Sequence, residues 1–83
     1  SPQPAISDLP TVTVTRDERI FLSGAVVAED ALQEAVSAAL EASGLSVVVL
    51  RADESVPHGF VVRVMDLLKQ AGAERIAIAT GGG

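Results

Sequence analysis

The sequence predicts an α/β (α+β) domain: a two-layer sandwich in which a mixed β-sheet carries two helices on one face, in the order ββαβαβ. Three observations carry that expectation. "TVTVT", Thr11 to Thr15, alternates strictly between valine and threonine, the period-2 pattern of a strand with one buried face. "LSVVVL" and "RIAIAT" are short apolar runs of strand length, and each follows a stretch with helical periodicity. Strand–helix–strand units of this kind close by right-handed crossovers between parallel strands, while a hairpin at the start makes the sheet mixed.

Taken in order, residues 1–10 ("SPQPAISDLP") hold three of the four prolines and no periodicity, and read as a proline-rich tether. Order is expected from residue 11. "RDER" is a polar turn between the first strand and "IFLS", Ile20 to Ser23; lacking Asn-Gly or Asp-Gly, it predicts a loop longer than two residues. Gly24 then bends the chain into a short apolar link, Ala25 to Val27. From Glu29 to Ser43, Leu32, Ala35, Val36, Ala39 and Leu40 recur at helical spacing. Glu29 and Asp30 suit the positive end of the helix dipole, Gly44 suits its termination, and Ala28 offers no capping side chain. Leu45 to Leu50 is apolar on both faces and belongs inside the sheet. "FVVRVMDLLKQAG" predicts the second helix, with Phe60, Val61, Val64, Leu67, Leu68 and Ala71 inward and Gly72 at its end. Arg75 to Thr80 is the last strand, and residues 81–83 a glycine tail. The domain therefore spans residues 11–80.

Size and composition narrow the function. With 83 residues there is room for one small core, and 48% apolar residues are enough to build it. Net charge is −5 and only six residues are Lys or Arg, so the clustered basic surface that nucleic acid requires is not expected. Cysteine is absent, which excludes disulfides and thiolate metal sites. No apolar run approaches the ~18 residues of a membrane span, and no signal-peptide pattern opens the sequence. The closing glycines do not lie between a strand and a helix, so they do not read as a phosphate loop.

"DESVPHGFVV", residues 53 to 62, gathers two acids, a serine and the single histidine. Asp53, Glu54, His58 and Asp66 are the candidate metal or acid–base residues. His58 and Asp66 are separated by eight residues, ~12 Å along a helix, too far for one coordination shell. The structural reading accounts for more residues: Asp53 or Ser55 accepts bonds from the first helical N–H groups, and Pro57 fits the first turn. Asp53, Ser55 and Pro57 are thus expected to start a helix. No catalytic residue, metal or cofactor is expected.

The sequence from the alternating strand through "IFLSG", the "LQEAV" helix, "VVVLRAD", "PHGFVVRVMDLLKQAG" and "RIAIAT" resembles the periplasmic domain of the TolR/ExbD biopolymer transport family. The likeness runs from Val12 to Thr80 and is densest over "RADESVPHGFVVRVMDLLKQAGAERIAIAT". His58 departs from it, standing where an aromatic is usual, and Ala28 replaces a polar cap. The resemblance implies a non-enzymatic periplasmic module of a single-pass protein of the bacterial inner membrane, whose transmembrane helix would precede this sequence. It implies a TolQ/ExbB-like channel subunit and a TolA/TonB-like protein as partners in a proton-motive-force-coupled complex, with peptidoglycan as another ligand. The family's proton-carrying aspartate lies in that helix, so no residue here inherits its role. A cytoplasmic small-ligand or regulatory α/β domain is the alternative, and a small hydrolase using Asp53 and His58 is a third.

Two helices on one face leave the other sheet face and one strand edge uncovered, which a soluble protein normally avoids. A homodimer is therefore expected. Its seam, or the docking strand for a partner peptide, is expected along the final strand, Arg75, Ile76, Ile78 and Thr80, in preference to the Thr11 to Thr15 strand.

Overall fold

The computed structural model describes residues 9–80. In them the chain runs β1 (Thr11–Val14), β2 (Ile20–Leu22), β3 (Ala25–Val27), α1 (Glu29–Ser43), β4 (Val47–Ala52), α2 (His58–Gln70) and β5 (Arg75–Thr80). The five strands form one sheet in the order β3-β2-β1-β4-β5. β1–β2 and β2–β3 are antiparallel, whereas β1–β4 and β4–β5 are parallel. The sheet is mixed, as the hairpin and the crossovers require. The expected tether falls on residues 1–10 and the glycine tail on 81–83; residues 1–8 and 81–83 lie outside the described residues.

One element corrects the sequence reading. Ala25 to Val27 is a third strand, so the order is βββαβαβ and not ββαβαβ. Leu22 lies directly opposite Ala25, leaving only Ser23 and Gly24 in the turn. Both have positive φ, 51° and 92°. That is the conformation of a type I′ hairpin turn, whose twist matches that of the strands it joins. Glycine takes it freely and serine only under the pull of the strand pairing. The β1–β2 connection is longer, as expected: Thr15 N–H donates to the Arg19 carbonyl, and Glu18 takes a φ of 62° between them.

Cross-strand register sorts the side chains. Val12 faces Leu50, Val14 faces Ala52 and Val48 faces Ile76. Val12, Val48 and Leu50 are fully buried with Leu32, Val36, Val64 and Leu68 from the helices. Both crossovers, β3–α1–β4 and β4–α2–β5, step across the sheet in the same direction. Being right-handed, they place both helices on the same face. Thr11, Thr13, Phe21, Val49 and Arg51 alternate with the core residues and so occupy the opposite face, which no described element covers.

The helix ends show how the layers are tied. Ala28 stands at the start of α1 with no side-chain cap, as its sequence predicts. Glu29 instead accepts two bonds from the Arg63 guanidinium, at 2.9 and 3.1 Å, tethering the start of α1 to the middle of α2. The same guanidinium lies 5.5 Å from the Phe60 ring centre. At the far end of α2, Gly72 N–H donates to the Lys69 carbonyl and Ala73 N–H to the Leu68 carbonyl. This six-to-one and five-to-two pair needs left-handed backbone at Gly72, where φ is 114°. β4 begins two residues later than the apolar run suggested and continues through Arg51 and Ala52. That extension carries Arg51 into the sheet.

Candidate functional site

The residues with catalytic chemistry are not assembled. His58 is the exposed first residue of α2, and Asp66, also exposed, accepts a bond from Gln70 Nε2 at 2.7 Å. Glu54 is exposed in the preceding turn. Among the described residues no three His, Asp or Glu side chains converge as a metal would require.

Asp53 and Ser55 do not cap α2 in the way their sequence positions suggest. Pro57 occupies the capping position, and no side chain bonds the first helical N–H groups. Asp53 Oδ1 accepts from Ser55 N–H at 2.9 Å and from Ser55 Oγ at 2.6 Å, while Val56 N–H donates to the Asp53 carbonyl. The pair closes a tight turn between β4 and α2, as aspartate side chains do when a backbone donor two residues on is within reach. The turn consumes the acceptors before the helix begins, and the Pro57 carbonyl takes up the N–H groups of Phe60 and Val61. The Ser55 hydroxyl and N–H hold the Asp53 carboxyl below its usual range, with a smaller contribution from Arg16.

β5 forms one edge of the sheet, pairing with β4 alone among the described residues. Arg75 N–H donates to the Ser46 carbonyl of the chain leading into β4, so Arg75, Ala77 and Ala79 direct their backbone groups inward. Ile76, Ile78 and Thr80 therefore present theirs outward. Ala77 and Ala79 are exposed, and Ile78, on the helix-side face, is 55% exposed beyond the rim of the helix layer. The edge carries no proline and no bulge, the usual guards of an unpaired strand.

A second feature has no counterpart in the sequence reading. Between the C-terminal ends of β1 and β4 lies an open cleft of about 720 Å³, bordered by Thr13, Thr15, Arg16, Asp17, Arg51 and Asp53 over Val14 and Ala52. Its origin is topological: the chain leaves β1 toward β2 and leaves β4 toward α2, in opposite directions, so no connection closes the gap. Asp17 is committed locally, accepting from the Thr15 hydroxyl and pairing with Arg19 at 3.3 Å. The Thr15 hydroxyl, foremost, keeps the Asp17 carboxyl below its usual range. Only the alternation of threonines with Val12 and Val14 hinted at this surface. The register that sets Arg51 opposite Thr13 is a three-dimensional fact.

Edge strand, open cleft and a sheet face that no described element covers are the surfaces left by this two-layer α/β domain. The family described as "Biopolymer transport protein ExbD/TolR" matches residues 1–82, and the chain belongs to that family. No curated protein matches it. Membership implies biopolymer transport within an energising complex of the ExbB/TolQ-associated type, in a family whose members are anchored in the inner membrane and carry a periplasmic domain. No helix among the described residues is long and apolar enough to cross a membrane.

Proposed function

We propose that this chain is the non-enzymatic periplasmic module of a proton-motive-force-coupled complex of the TolQ–TolR or ExbB–ExbD type, docking other chains by strand addition along β5. The outward backbone groups of Ile76, Ile78 and Thr80 are the observation that supports it. A strand laid beside them completes hydrogen bonds that β5 otherwise leaves to water, which is how sheet edges recruit peptides. A second copy of the chain is the first occupant, giving a homodimer, and a strand of a TolA/TonB-like protein is the second. Peptidoglycan is the other ligand class of this reading, tested by co-sedimentation with cell-wall sacculi. The channel subunit would be met through a transmembrane helix outside this sequence.

Sedimentation from micromolar to millimolar concentration tests the dimer. A monomer–dimer equilibrium is expected, abolished by Ile78→Pro, which removes one outward N–H while leaving the inward bonds to β4 intact. A monomer at every concentration, or a dimer that survives Ile78→Pro in a folded chain, overturns the β5 seam.

A further inference from the structure

We propose that the cleft between the C-terminal ends of β1 and β4 is a binding site for a peptide carboxylate, gripped by Arg16 and Arg51 with the Thr13 hydroxyl. Four charged side chains border it, and their commitments differ. Asp17 is held by Thr15 and Arg19, and Asp53 by the hydroxyl and N–H of Ser55. Arg16 and Arg51 border the same space and have no hydrogen bond or ion pair among the described residues. Thr13, directly opposite Arg51 across the β1–β4 pair, uses its hydroxyl in no bond there either. The carboxylates keep their charge, and Arg16 is near enough to Asp17 and Asp53 to help lower both carboxyls; what the cleft offers is therefore the unused guanidinium donors of Arg16 and Arg51 and not a net positive charge.

Guanidinium groups present a planar fork of donors that matches a carboxylate in two parallel bonds, and a hydroxyl adds a third donor. A volume of about 720 Å³ is in the range of ligand sites and admits a few residues of extended chain. The carboxylate can come from an acidic side chain or from the C-terminus of a peptide; both offer the same pair of oxygens. The cleft lies two strands inward from the β5 edge, so it engages a different part of a partner from the part that adds a strand.

The test is a backbone-amide NMR titration of the 83-residue chain at constant ionic strength. Three probes are used: an acetylated, amidated tetrapeptide with one glutamate among alanines, the same peptide with glutamine, and acetylated tetra-alanine with a free C-terminal carboxylate. A carboxylate peptide is expected to give saturable shifts at Thr13, Arg16, Arg51 and Asp53, and the glutamine peptide none. Whichever carboxylate probe binds more tightly identifies the source. Arg51→Gln is expected to weaken binding about tenfold or more, the size of one charged hydrogen-bonded contact. Arg51→Lys loses less, and Arg75→Gln at the start of β5 changes nothing. Arg16→Gln provides a second variant should Arg51→Gln disturb the fold. Absent shifts, equal shifts with the glutamine peptide, or undiminished binding in both folded glutamine variants overturns the site.

Discussion

The two edges of the sheet are built to opposite ends. β3 is three residues long and is closed onto β2 by a two-residue turn. β5 is six residues long, parallel to its neighbour and apolar between Arg75 and Thr80. A strand of three residues offers too few backbone groups to template a partner, whereas six approach the typical strand length in globular sheets. On the proposed reading of β5, exposure alone does not mark a docking edge. Val26 on β3 is 68% exposed and Ile78 on β5 is 55% exposed. What separates them is the length of the unpaired ladder behind the side chain.

The largest effect on this contrast comes from the core that both edges share. Leu50 is fully buried at the centre of the sheet, opposite Val12 on one side and Ile78 on the other. Leu50→Ala is expected to cost ~2–5 kcal/mol, read from urea unfolding, and to weaken association by unfolding the strand that carries β5. A loss under ~1 kcal/mol would mean that the packing of β4 is not what holds β5 in place. Next comes the turn chemistry. Gly72→Ala forces a side chain into the left-handed region and is expected to lower stability by ~1–2 kcal/mol. Gly24→Ala carries a similar strain, but it is confined to the β2–β3 hairpin and should leave the dimer equilibrium unchanged. A shift in that equilibrium with Gly24→Ala would implicate the β3 edge instead.

How much of this was legible before the structure depended on the range over which each signal acts. The sequence predicts α1 from Glu29 to Ser43 and β5 from Arg75 to Thr80, and both are found there, because periodicity and end signals are written within each segment. β3 reads as a link in the sequence, because three residues between a positive-φ turn and a helix carry too little pattern. Asp53 and Ser55 look like caps in sequence, yet they bond to each other one turn earlier, a choice decided by the path from Ala52 to Pro57. The cleft could not be read at all. Arg16 and Arg51 lie 35 residues apart, and only the parallel register of β1 with β4 brings them to one space.

The smallest expected effect is on pH dependence. The Asp53 carboxyl titrates below its ordinary value of 3.8 in the folded chain, so its bonds to Ser55 stabilise the turn above that value and are lost as pH falls through the lower one. Thermal unfolding followed downward from neutral pH should show a slight loss of stability on the acid side, smaller in Asp53→Asn. Because the group is exposed, the β5 edge should be indifferent to it, and a dimer that dissociates together with this titration would tie the two regions in a way the fold does not suggest.

Amide hydrogen exchange at Ile76 and Ile78 tests the central claim most directly. Both N–H groups point outward from β5, whereas those of Ala77 and Ala79 point toward β4. The account predicts that in dilute monomer Ala77 is protected while Ile76 and Ile78 exchange quickly, and that all three are protected as concentration rises into the dimer range. Ile76 and Ile78 exchanging quickly at every concentration, beside a protected Ala77 and a dimer seen by sedimentation, would contradict it.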